Sequence, residues 1–137
     1  MEKFVGKWEV RPELTQNFDA FSDTMEIPAE KRELYKNLQA TYTFALDGST
    51  LVAGLETKGF NQELRFQLGV PLSYKSFDGS TMTSCINMKG GHFVESHKME
   101  KDGTTREWTT DRYIEGDYIV GVQTKDGVSM TTKLKRL

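Results

Sequence analysis

The chain has 137 residues, enough for one domain spanning 1–137 with its own hydrophobic core. With 36% hydrophobic and 28% charged residues and a formal net charge of -2, it has neither a disordered composition nor the basic excess that nucleic acid requires. One cysteine, Cys85, rules out an intramolecular disulfide framework, and no stretch approaches the ~20 apolar residues of a membrane-spanning helix. The opening MEKFVGKWEV lacks the apolar run of a secretory leader, so a reducing, cytoplasmic setting is expected.

In chain order, the first strand is predicted over about 4–13. The segment after it is helical: in TQNFDAFSDTM, Phe18, Phe21 and Met25 recur at helical spacing, with Thr15 as N-cap. A second helix is predicted in PAEKRELYKNL, with Pro28 in the first turn, Glu30 early, Lys36 late, and Leu34, Tyr35 and Leu38 on one stripe. Turn dipeptides then punctuate the chain: Asp47-Gly48, Asp78-Gly79, Gly90-Gly91, Asp102-Gly103, Glu115-Gly116 and Asp126-Gly127. The runs between them alternate with period two and are rich in Thr, Tyr, Phe and Val, as antiparallel hairpins are. They give nine more strands, about 39–47, 50–58, 60–68, 70–77, 80–88, 91–100, 104–115, 117–125 and 128–136.

A long meander with few apolar residues on its outer face predicts an all-β, up-and-down antiparallel barrel of ten strands, with the helix pair as a lid. Eight strands already give an interior that side chains fill or that holds one small ligand, so ten should leave a cavity. Inward polar residues, taken to include Gln62, Thr124 and Thr132, suit a partly hydrated space. In the closing SMTTKLKRL, Met130, Thr132 and Leu134 share one face and Thr131, Lys133 and Lys135 the other.

Four segments in order carry a resemblance: FVGKWEV at 4–10, NFDAF at 17–21, FNQELRFQLGVPLSYKSFDG at 60–79 and MKGGHFVESHK at 88–98. They are similar to the intracellular lipid-binding proteins, the fatty-acid-binding and cellular retinoid-binding proteins. The resemblance implies a ten-stranded barrel with a helix-turn-helix lid, and reversible binding and transport of a small hydrophobic ligand, with no cofactor and no reaction catalysed. It implies a portal at the second helix, gated by Phe60, and ligand contacts from Phe18, Phe21, Tyr35 and Leu38 beneath the lid. Leu64, Phe66, Trp108, Arg112, Met130, Thr132 and Leu134 complete the expected contacts.

Many relatives hold a carboxylate with an Arg-x-Tyr pair on the last strand and an earlier Arg. Matched through Gly127-Val128, the pair falls on Thr132 and Leu134, which cannot make that bidentate contact. For the earlier Arg, counting back from Glu115-Gly116 lands on Asp111 and counting forward from Thr104-Thr105 lands on Trp108. Arg112 lies beside the first and shares parity with the second, so a bulge would turn it inward. A solvated Arg112 is the simpler expectation, because an inward guanidinium without a partner carries a large desolvation cost. The expected ligand is therefore held by apolar burial and shape.

His92 and His97 fall on opposite faces of one strand and form no local metal pair, and no nucleophile elbow or phosphate loop is present. Lys31, Arg32 and Lys36, opposed by Glu30 and Glu33, make the second helix a solvated face first and a site of transient membrane contact second. A monomer is expected. The rival function is a non-transport interaction or membrane-apposing barrel module that has lost ligand binding.

Overall fold

The computed structural model describes residues Met1–Leu137. The strands are β1 (Gly6–Val10), β2 (Ala40–Asp47), β3 (Thr50–Thr57), β4 (Phe60–Phe66), β5 (Leu72–Lys75), β6 (Thr81–Lys89), β7 (His92–Lys101), β8 (Thr104–Glu115), β9 (Tyr118–Lys125) and β10 (Val128–Arg136). Helices α1 (Phe18–Thr24) and α2 (Ala29–Lys36) lie between β1 and β2. All strand pairs are antiparallel, in the spatial order β4-β3-β2-β1-β10-β9-β8-β7-β6-β5. Tight hairpins follow from the turn residues. Asp102 and Gly103 have φ of 52° and 77°, and Asp126 and Gly127 have 50° and 78°, the left-handed pair that a two-residue hairpin demands.

The ring is not fully hydrogen-bonded. β4 and β5 end the order without pairing to each other, and the Gln62 amide bridges the seam by donating to the Lys75 carbonyl at 2.7 Å. Past β4 the chain returns to the sheet through Gly69 N–H, bonded to the Ile86 carbonyl at 2.9 Å.

α1 begins differently from the sequence expectation. Thr15 ends a short 3-10 turn (Pro12–Leu14), and Gln16 pairs with Thr131 of β10 through backbone bonds of 2.9 and 3.1 Å. The N-cap is Asn17, at φ 64°, whose side-chain amide donates to the Ser129 carbonyl at 2.8 Å. The helix is thus tied to the last strand by its own cap residue. In α2, Leu34 is 53% exposed and turns outward, whereas Tyr35 turns inward. Leu38 lies just beyond the helix.

One end of the barrel holds the apolar core. Phe4, Trp8, Phe44, Leu51, Phe66, Ile86, Phe93, Ile119 and Leu134 form a single buried cluster, each large member contributing roughly 1.5–3 kcal/mol by leaving water. The Trp8 indole N–H donates to the Phe4 carbonyl at 2.9 Å, and the Arg136 guanidinium covers the Trp8 ring at 4.1 Å. Arg136 also donates to the Val5 and Lys3 carbonyls, at 3.2 and 2.9 Å, closing that end. The larger open space in the interior lies toward the lid.

Candidate functional site: a cavity between lid and apolar floor

Above this floor lies a cavity of about 630 Å³, with a side lobe of about 200 Å³ running toward β3 and β4. Its size falls within the ~300–1,000 Å³ usual for small-molecule sites. Beneath the lid it is lined by Phe18, Phe21, Tyr35 and Leu38, and along β10 by Met130, Thr132 and Leu134. That single strand face runs from mouth to floor, Leu134 belonging also to the packed cluster. Leu64 and Phe66 line the side lobe. Phe60 lines neither space: it opens β4 opposite Thr57, and the aromatic at the mouth is Phe77, edge-on to Tyr35 with ring centroids 5.7 Å apart.

β8 resolves the three alternatives for the interior arginine. Trp108 pairs with His97 and Arg112 with Phe93 in an unbroken register, so both point inward without a bulge. Asp111 points outward and bonds His92 Nδ1 at 2.7 Å. Arg112 is not a solvated strand residue, because it has the partner that the sequence reading lacked. Its Nε donates to Glu95 Oε2 at 2.7 Å, and Glu95 is only 5% exposed.

This pair belongs to a longer chain of bonds. His97 Nε2 lies 2.8 Å from Glu95 Oε1, Ser84 Oγ lies 2.7 Å from His97 Nδ1, and the Tyr74 hydroxyl lies 2.9 Å from Ser84 Oγ. One arrangement satisfies every link: Tyr74 donates to Ser84, Ser84 donates to Nδ1, and Nε2–H donates to Glu95. Burial pushes the Glu95 carboxyl up, but Arg112 and the His97 bond outweigh it and hold the group below its ordinary value. Burial also disfavours charge on Arg112, and Glu95 reverses the sign, keeping the guanidinium charged. Tyr42 and Tyr74 are pushed up chiefly by burial and stay neutral. Arg112 and His97 border both the main cavity and its side lobe, so the polar chain lies where the two meet.

A second polar group faces the same space. Gln123 Nε2 donates to Thr132 Oγ1 at 3.2 Å, and Thr132 Oγ1 lies 3.5 Å from the Gly121 carbonyl. Gln123 Oε1 and Thr110 Oγ1, both buried, have no partner within the protein. Thr124, expected inward, has the opposite parity and bonds Ser129 Oγ on the outside at 2.8 Å.

Glu95, His97, Thr110, Gln123 and Phe77 are among the lining residues that sequence reasoning missed. The signal for two of them was present: Phe93, Glu95, His97 and Met99 share one face of β7, and an inward Phe93 carries the others with it.

The lid is fastened at its free edge. The Tyr35 hydroxyl donates to Asp78 Oδ2 at 2.7 Å, and Asp78 Oδ1 accepts from Ser80 N–H at 3.0 Å and from the Ser80 hydroxyl. Burial raises the Asp78 carboxyl, but the Ser80 and Tyr35 bonds lower it further, and Tyr35 is pushed up by burial and by that same carboxylate. Arg106 Nη2 donates to the Glu26 carbonyl at 3.1 Å, joining the interhelix turn to β8.

The fold and interior define a class: a ten-stranded barrel enclosing a lidded, mainly apolar cavity. No protein-family model matches the chain. Full-length relatives do. It is 27% identical over 137 residues to a fatty acid-binding protein of Schistosoma japonicum, covering 100% of both chains. It is 27% identical over 133 residues to the intestinal fatty acid-binding protein of Sus scrofa, covering 97% of this chain and 98% of the other. The structure of a Schistosoma mansoni fatty acid binding protein in complex with arachidonic acid superposes with a TM-score of 0.82 at 23% identity, over 100% of this chain and 98% of that one. Over its full length the chain is similar to fatty-acid-binding proteins and shares their lidded ten-stranded barrel fold.

Proposed function

We propose that the protein binds fatty acids or similarly sized hydrophobic molecules in its interior cavity and carries them without chemical change. The observation that carries this reading is the space of about 630 Å³ between an apolar floor and a latched lid. Burial of an acyl chain contributes about 0.8 kcal/mol per methylene in the transfer limit, enough for micromolar affinity without an ion pair. Phe18, Phe21, Tyr35, Leu38, Trp108 and Met130 are assigned as chain contacts, with Leu64 and Phe66 serving a bent or longer chain. Thr132 and Leu134 stand where many relatives carry Arg and Tyr, so the usual two-point carboxylate anchor is absent here.

One free cysteine and the family's character favour a cytoplasmic monomer. Lys31 and Lys36, beside the exposed Leu34, give α2 a surface suited to brief contact with an anionic bilayer during transfer. Native mass spectrometry of protein purified without delipidation tests the central reading, with delipidated protein then titrated with oleate. A retained lipid, or saturable binding near one equivalent, is expected. No binding across a panel of fatty acids, retinoids and bile acids would refute it and favour an interaction module.

A further inference from the structure

The interior arginine is already neutralised. Arg112 and Glu95 bear opposite charges 2.7 Å apart, His97 bonds the second Glu95 oxygen, and no other Lys or Arg side chain bonds into this chain. A carboxylate placed here would add a buried negative charge beside one that Arg112 already serves, and an uncompensated interior charge carries a heavy desolvation penalty. A carboxylate also has no proton for the unpartnered Gln123 Oε1.

What these residues offer instead is a neutral, two-way hydrogen-bonding surface. A methyl group on Gly121 would lie 3.1 Å from Thr132 Oγ1 and 3.4 Å from both Arg112 Nη1 and Gln123 Nε2. Three polar side chains therefore converge over a residue that has no side chain of its own. Arg112 Nη1 and Gln123 Nε2 donate, while Gln123 Oε1 accepts and the buried Thr110 hydroxyl can do either. The complementary ligand group carries an oxygen that accepts and an O–H or N–H that donates, with no net charge.

We infer that this cavity selects long-chain lipids with a neutral hydroxyl or amide head group over fatty-acid anions of the same chain, the head group lying against Thr110, Arg112, Gln123 and Thr132. The inference rests on the lipid-binding reading above and narrows it to a ligand class. Glu95 is the specificity-determining residue, acting through Arg112 by occupying its charge.

The test compares oleate, oleyl alcohol and N-oleoylethanolamine on delipidated protein at neutral pH. Direct titration through Trp108 fluorescence reads binding, since Trp8, the second tryptophan, is sealed in the floor at 0% exposure. At least one neutral lipid is expected to bind about tenfold or more tightly than oleate, the ratio that 1.4 kcal/mol represents. In Glu95→Gln the freed guanidinium should shift the preference toward oleate by a similar factor. In case that variant misfolds, Glu95→Gln/Arg112→Gln removes both charges and should leave the ratio of neutral-lipid to oleate affinity within about threefold of the parent's, with oleate still bound. Oleate binding more tightly than both neutral lipids to the unaltered protein would overturn the inference while leaving lipid binding intact. A double variant that loses oleate binding alone would also overturn it, since Arg112 would then be a working anion anchor. Failure of all three lipids to bind would refute the underlying function instead.

Discussion

Replacing Arg112 by Met removes one partner of a buried ion pair and leaves the other in place. Glu95 is 5% exposed and Arg112 has 20% of its side chain exposed, with Arg112 bordering the cavity and its side lobe. Breaking such a pair costs about 3–5 kcal/mol, because the remaining charge keeps its desolvation penalty. Glu95 retains its His97 bond at 2.8 Å and lies in the cavity wall, which sets the expectation at the lower end, about 3 kcal/mol. In urea, with a slope of about 1–2 kcal/mol/M, the midpoint should fall by roughly 2 M with the slope unchanged. Removing both charges, in Arg112→Met/Glu95→Leu, should restore stability to within about 1 kcal/mol of the parent. The pH dependence carries a sign. In the parent, Glu95 is held below its ordinary value of 4.5, so its contribution is present above that value and lost as pH falls through the folded one. In Arg112→Met, burial is offset only by the His97 bond, and the folded value is expected to rise above the unfolded one. The deficit should then be largest at neutral pH and shrink on acidification. A loss under about 1 kcal/mol for Arg112→Met, or a deficit that grows in acid, would refute the reasoning.

Tyr35→Phe removes the donor to Asp78 and should loosen the lid, speeding ligand release in stopped-flow displacement while global stability falls by no more than about 1.5–3 kcal/mol, the range for a bond to a charged group. Gly121→Val should lower lipid affinity at least severalfold by titration, since the added atoms press on Thr132 Oγ1 and Arg112 Nη1. Gln62→Ala removes the bridge to Lys75 across the seam. It should cost about 0.5–1.5 kcal/mol in denaturant unfolding and speed amide exchange in β4 and β5 more than elsewhere.

The barrel was legible because hairpin punctuation is local: Asp-Gly and Gly-Gly pairs delimit strands whatever they pack against. β8, predicted at 104–115, is found at Thr104–Glu115, and β10, predicted at 128–136, at Val128–Arg136. Facing was harder. Thr124 is expected inward and Leu34 on one stripe with Tyr35 and Leu38, yet parity along β9 and the turn of α2 put both outside. The polar chain escaped because each member, taken singly, has an ordinary reading: Glu95 as an exposed acid, His97 as a surface imidazole, Arg112 as a solvated cation. Each charge is tolerable inside only because the others are there, and residues paired across β7 and β8 are not neighbours in sequence. Asn17 was missed as a cap for a related reason, since its partner, Ser129, lies at the far end of the chain.

The unpaired seam bears on how the molecule assembles. β4 and β5 are separated by only residues 67–71, so bringing them together costs little loop-closure entropy. β1 and β10, joined through Trp8 and Arg136, lie nearly a full chain length apart, and their closure is the expensive one. The ring therefore completes its costliest pairing and leaves a cheap one undone. Every other pairing is between successive strands, and all but β1–β2, which the helix pair separates, can zip from their own turns, which makes β1–β10 docking the step expected to limit the folding rate. Substitutions at Trp8 or Arg136 that slow that docking would then slow refolding, whereas changes along the seam would be felt in the finished barrel as faster unfolding.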